Sequence, residues 1–276
     1  MSEEERRRRL GLATVLDLKP RGFFLPYRHA DVTQAVPPYP AVEAAFAAAG
    51  FGATLDLVDG LGDALQAIAA DAPAPAPRWN QDWFPRLDAA AAYALVRQRK
   101  PGRIVEVGSG HSTRFLVRAI ADGGLATTLT AIDPAPRATL DGLKVTWRRE
   151  LVQATPLALF EGLAAGDVLF IDSSHLLMPG SDVDHLLNRV LPALPPGVLV
   201  HFHDVFLPDD YPDAWRWRCY NEQLALPALI LGGGYAPVFS SRCAVTRLAD
   251  RLAKSVVARL PLLGGAFEAS LWLEKS

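Results

Sequence analysis

At the end of the apolar run Val198–Val200 the chain places His201, His203 and Asp204 within four residues, in the stretch VLVHFHDVF. Burying unpaired polar side chains costs roughly 2–7 kcal/mol each, so this polarity needs compensation. A bound cation, acid–base use or mutual hydrogen bonding would each supply it. Residues of the same kind close another apolar run: Asp172 ends VLFID, and His175 follows it in DSSH. Carboxylates and imidazoles bind divalent metals and move protons near neutral pH. On a strand, positions 201 and 203 share a face, because the side-chain period is two. His201, one step deeper, reads as a buried, hydrogen-bonded histidine rather than a ligand.

A second constellation lies earlier, in RIVEVGSGHSTRF. Gly108 and Gly110 permit a tight turn and close backbone approach to a ligand, and Ser112 or Thr113 can cap the next helix. A dinucleotide fingerprint would have its third glycine where Thr113 stands. Glu106 would face a pyrophosphate unfavourably, yet it suits a ligand carrying an amino group and a sulfonium. Asp133 closes the next apolar run, TTLTAID, where an acidic residue can accept hydrogen bonds from both ribose hydroxyls. Each has a bland reading, a structural ion pair for Glu106 and a turn residue before Pro134 for Asp133. Together they favour an adenosine ligand with a cationic tail.

These residues need elements to hold them. Short apolar runs at 103–108, 127–133, 145–151, 168–172 and 198–204 read as strands, with helical patterns at 112–121, 155–165 and 182–194 between most of them. The last helix opens on a Ser181–Asp184 capping box. Strands alternating with helices predict a parallel sheet covered on both faces, with ligands outside the carboxyl ends of its strands. Before this region, Leu87, Ala91, Ala94 and Leu95 recur at helical spacing. DAPAPAPRW, residues 71–79, reads as a semi-rigid spacer. It divides a helical and looped extension, residues 1–78, from the main domain, residues 79–276. Aromatic and basic residues cluster in RWNQDWF, in Tyr27–Arg28–His29, in AWRWR and in YNEQ. They could grip a planar, sugar or carboxylate-bearing molecule, or simply pack the extension on the core.

The whole chain sets the bounds. It has 276 residues, half hydrophobic and about a fifth charged, in the range of a soluble globular protein. A formal net charge of −2 gives no global bias toward nucleic acid or anionic membranes. The basic run Arg6–Arg9 follows Glu3–Glu5 and reads as a solvated helix. Cys219 and Cys243 are the only cysteines and lack CxxC spacing, which argues against a disulfide scaffold and fits a reducing compartment. With no apolar leader and no run of about 18 apolar residues, the expected location is the cytoplasm.

RIVEVGSGHST, TAIDPAPR, DVLFIDSSH and PGVLVHFHDV resemble, in order, the successive motifs of class I S-adenosylmethionine-dependent methyltransferases. Within that superfamily they are most similar to a bacterial branch with D-x-x-H and H-D motifs, akin to metal-dependent O-methyltransferases. The resemblance spans roughly residues 80–240. It implies a Rossmann-like α/β fold: a seven-stranded, mostly parallel sheet ending in an antiparallel hairpin, expected at 235–241 and 270–275, with helices on both faces. It also implies that Glu106, Gly108, Ser109, Gly110 and Ser112 line the methionine part of the cofactor. Asp133 would hold the ribose, Gln153 would lie near the adenine, and Asp172 would border the site. Asp172, His203 and Asp204 would bind a divalent metal. Because an imidazole replaces the usual oxygen ligand, manganese, iron, cobalt or zinc suits the set better than magnesium. His175 would be a further ligand or would take the acceptor's proton, with Asp172 and His203 beside it. The expected activity is methyl transfer from S-adenosylmethionine to a small molecule, most naturally at a hydroxyl oxygen, without nucleic-acid or membrane partners. A homo-oligomer stays open. The rivals are a nicotinamide-dependent oxidoreductase, which Glu106 and the absent third glycine count against, a metallohydrolase, and a non-catalytic cofactor-binding protein.

Overall fold

Seven short apolar segments become strands: β1 (Arg103–Val107), β2 (Thr128–Ile132), β3 (Thr146–Arg148), β4 (Val168–Ile171), β5 (Leu199–Phe202), β6 (Tyr235–Ser240) and β7 (Leu271–Lys275). In the computed structural model they form one sheet in the order β3-β2-β1-β4-β5-β7-β6. The structure describes residues 1–16, 18 and 37–276, so the cluster Tyr27, Arg28 and His29 lies outside the described residues. The first five strands are parallel, and β7 runs antiparallel to both β5 and β6. Val168–Ile171 and Leu199–Phe202 are buried along their whole length, as expected of central strands covered on both faces. The Rossmann-like sheet and its terminal antiparallel strands are as expected.

The helices are α1 (Glu3–Val15), α2 (Pro40–Ala49), α3 (Gly52–Gly60), α4 (Gly62–Gln66), α5 (Arg86–Arg99) and α6 (His111–Asp122), followed by shorter turns. Between β3 and β4 the expected helix 155–165 shrinks to Ala158–Glu161. Pro156, Gly162 and Gly166 bracket it, and both glycines and proline disfavour helix interiors. Residues 182–193 are helical with a π turn at Leu186–Val190, and Ser181 Oγ accepts from the Asp184 amide.

α2 and α3 bury Val42, Phe46, Leu55 and Val58 in the same hydrophobic cluster as the sheet residues Phe170, Phe202 and Trp272. The Ala–Pro stretch is a closed loop rather than an extended spacer. The amides of Trp79 and Asn80 donate to the carbonyls of Ala69 and Ala70, and the buried Trp79 ring meets Phe115 at 5.1 Å. At the amino terminus α1 carries the Arg7–Glu3 and Arg8–Glu4 pairs expected of a charged helix. No single helix among the described residues is long and apolar enough to cross a membrane.

Candidate active site

The carboxyl ends of β1, β2, β4 and β5 open into one cavity of about 440 Å³. Its floor is the turn after β1. Gly108 has φ +80°, and a Cβ there would sit 1.8 Å from the carbonyl oxygen of Asp172. Only glycine lets the turn pass β4 so closely. The Asp172 amide in turn donates to Val107, which ties the two strand ends together. Thr113 Oγ1 accepts from the Gly110 amide and caps α6.

Glu106 lies beneath this turn, fully buried, and does not line the cavity. Ser112 and Thr113 each donate a hydroxyl to one of its oxygens at 2.7 Å. Burial pushes its carboxyl up to about 8, against these two hydrogen bonds. Asp133 does line the cavity; its Oδ2 accepts from the Ser109 amide at 2.7 Å and its Oδ1 from the Ala135 amide at 2.8 Å. The Ser109 hydroxyl also donates to Oδ2, at 3.0 Å, so of the roughly four acceptor positions of the carboxylate one remains, on Oδ1. Gly108, Ser109, Gly110, Ser112 and Gln153 also line the cavity, with Gln153 donating to the Gly180 carbonyl. His111 lines it too. Burial, with Arg114 and Arg78 nearby, lowers its pKa to about 4, which keeps the ring neutral.

The opposite end holds the ionisable cluster. Asp172, His175, His203 and Asp204 alternate as carboxylate and imidazole around a ring. His175 Nε2 lies 3.3 Å from Asp172 Oδ1 and 3.5 Å from Asp204 Oδ2, while His203 Nδ1 lies 3.5 Å from Asp172 Oδ1 and 3.3 Å from Asp204 Oδ1. His175 and Asp204 adopt left-handed backbone angles, φ 61° and 54°. For non-glycine residues that conformation costs on the order of 1–3 kcal/mol and clusters at functional sites. Burial disfavours charge on Asp172, His175 and His203, yet their neighbours outweigh it. Both imidazoles are held well above their ordinary range, and the Asp172 carboxyl is held well below its own.

Two further acids reach this ring from distant segments. Glu222 Oε2 lies 2.9 Å from His175 Nδ1, and burial pushes its carboxyl up. Asp88, in the first turn of α5, lies 3.5 Å from His203 Nε2 and accepts from the amides of Ala269 and Ser270. The sequence carried a sign of Asp88, because it shares a helix face with Ala91 and Leu95. For Glu222 it carried none beyond its place in YNEQ. His201 stands apart from the cavity, stacked on Phe170 at 3.7 Å and bonded to Ser270 Oγ at 2.9 Å. Burial lowers its pKa well below the ordinary value.

The expected metal ligands Asp172, His203 and Asp204 are therefore neighbours. Among the described residues, however, no group of three or more His, Cys, Asp or Glu is arranged to hold a metal ion.

Residues 105–205 match a family described as a methyltransferase domain. The matched stretch runs from β1 to just past β5, the parallel part of the sheet. No curated protein matches its sequence. The chain is similar to several solved structures. One is an O-methyltransferase from Bacillus cereus in complex with SAH, at 15% identity over 81% of this chain and 91% of that one, with a TM-score of 0.41. Another is an SAH-bound methyltransferase from Podospora anserina, at 17% identity over 93% and 100%, with a TM-score of 0.40. A third is an O-methyltransferase from Streptomyces achromogenes involved in tomaymycin synthesis, in complex with SAM, at 14% identity over 100% of both chains and a TM-score of 0.41.

Proposed function

We propose that this methyltransferase transfers the methyl group of S-adenosylmethionine to a hydroxyl oxygen of a small molecule. The observation that carries this reading is the arrangement of one cavity. It has a glycine turn and Asp133 at one end and a His175–Glu222 pair at the other. The residues fit the cofactor. The turn at Gly108 leaves no room for a side chain, Asp133 has an acceptor position free on Oδ1, and Glu106 places a buried acid behind the turn. When bound, S-adenosylmethionine supplies an already activated methyl group, so the protein's task is alignment and proton removal. Holding both partners in line can supply up to roughly 7–11 kcal/mol of the barrier.

Asp133 binds the ribose through Oδ1, and Gly108–Gly110 with Ser112 pack along the methionine portion. Gln153 lies on the adenine side. Neutral His175 accepts the acceptor's proton at Nε2, while Glu222 at Nδ1 fixes the ring and stabilises the imidazolium that forms. Asp172, Asp204 and His203 surround the transferred proton and hold the acceptor oxygen.

A divalent ion does not fit the ring as it stands. Each ring-facing imidazole nitrogen lies 3.3–3.5 Å from an oxygen of both carboxylates, so the four side chains serve as partners to one another, and among the described residues no group of three or more is arranged to hold an ion. No step is derived through a metal. The extension contributes to the acceptor end, since the Arg7 guanidinium of α1 lies over the Tyr220 ring at 5.7 Å.

Calorimetry with S-adenosylhomocysteine and with NADH tests the reading. Binding of the first alone supports it; binding of NADH alone would replace it with the oxidoreductase.

A further inference from the structure

Beside His175 the cavity wall consists of aromatic rings and one guanidinium without a carboxylate partner. Trp215, Arg218 and Tyr220 all line the cavity. The Arg218 guanidinium carbon lies 4.3 Å from the Trp215 ring centroid, 5.0 Å from that of Trp217 and 5.4 Å from that of Tyr220. Its Nη1 donates to the Tyr220 hydroxyl at 2.9 Å, whereas its Nε is buried with no hydrogen-bond partner. Among the described residues no Asp or Glu meets it. In this it differs from Arg86, Arg242, Arg247 and Arg251, each of which pairs with an acid within 3.1 Å. Arg7, itself paired with Glu3, donates to the Arg218 carbonyl at 2.6 Å. Tyr220 joins this wall to the base, its ring centroid 4.7 Å from that of His175.

On the strength of the methyltransferase reading, we infer that the acceptor is a planar aromatic acid. Its carboxylate pairs with Arg218, its ring lies against Trp215 and Tyr220, and its hydroxyl reaches His175. A buried donor without a partner is costly, and a carboxylate matches the flat guanidinium fork with two parallel hydrogen bonds. Rings already stacked on the guanidinium hold it in place and offer further aromatic surface to the ligand. A neutral sugar would leave the charge of Arg218 unbalanced, and a cationic acceptor would be repelled by it.

The probes are protocatechuate and catechol, which share a hydroxyl pair and differ by one carboxylate. Each is titrated calorimetrically into enzyme saturated with S-adenosylhomocysteine. The acid is expected to bind more tightly by about tenfold or more, the scale of a hydrogen-bonded ion pair. Arg218→Gln is expected to erase the difference while S-adenosylhomocysteine still binds. Arg218→Lys, which keeps the charge without the fork, should fall between and serves as the comparison if the glutamine variant does not fold. Equal affinity for the two probes, no binding of either, or a preference for the acid that survives in Arg218→Gln and Arg218→Lys alike would overturn the inference. Failure of the wild-type enzyme to bind S-adenosylhomocysteine is a different result and removes the methyltransferase reading beneath it.

Discussion

His175 Nδ1 lies 2.9 Å from Oε2 of Glu222, a residue 47 positions further along the chain, and both side chains are buried. The pair turns the Nε2 of the histidine toward Asp172 and Asp204 and gives the imidazole a buried counter-charge.

That relationship fixes how the rate should depend on pH. Burial alone would lower the His175 pKa, but Asp172, Glu222 and Asp204 raise it well above 6.5. The histidine accepts a proton only when neutral, so kcat/KM should rise with pH along a limb displaced above the ordinary histidine value. Glu222→Gln should move that limb downward in pH and lower kcat by about 10–100-fold, by analogy with other base-orienting groups. A limb that stays in place in Glu222→Gln would remove His175 from the role of base.

Glu106 makes a prediction about stability. Its folded-state pKa is raised to about 8 by burial, above the roughly 4.3 of an unfolded glutamate. Between these values the folded chain holds a proton that the unfolded chain has lost, so stability falls as pH rises through the window and levels off above it. Glu106→Gln should flatten the decline in melting temperature between about pH 5 and pH 8. An unchanged slope would show the carboxyl to be ionised throughout.

Asp133 is expected to set cofactor affinity. S-adenosylhomocysteine binds only the folded state, so at a hundredfold excess over Kd it should stabilise by about 2.7 kcal/mol. Asp133→Ala removes the ribose acceptor and loosens Ser109, and most of the thermal shift should vanish. A full shift in the variant would place the ribose elsewhere.

Chelation tests the ring of Asp172, His175, His203 and Asp204. As its four side chains serve as partners to one another, enzyme treated with EDTA should keep its activity. Loss of turnover that manganese or cobalt restores more fully than calcium would instead establish the three-ligand site expected from the sequence.

Asp88 should matter for the sheet as well as the site. Its two oxygens accept from the amides of Ala269 and Ser270, just before β7. Asp88→Ala leaves two buried donors unpaired and should cost about 2–4 kcal/mol in chemical denaturation. Wild-type stability in the variant would mean that water takes over both bonds.

The sequence by itself determined the elements that repeat a local pattern. Apolar runs ending at Val107, Ile132, Ile171 and Phe202 could be seen as strands because burial on both faces demands continuous hydrophobic residues. The turn at Gly108 was equally local, since a left-handed backbone angle beside another strand excludes every side chain. The chemistry at strand ends was visible for the same reason: polar residues directly after apolar runs stand out.

Only the tertiary structure decided how those residues are paired. Glu106 looked like a ligand contact, yet burial beneath the turn gave it Ser112 and Thr113 as partners. His175 acquired Glu222 and His203 acquired Asp88 through contacts between segments far apart in sequence, and among the described residues Arg218 was left without an acid. Sequence periodicity reports which face of an element is buried, but not what meets that face. The charge state of an imidazole depends on groups within a few ångströms, and chain folding alone brings them there.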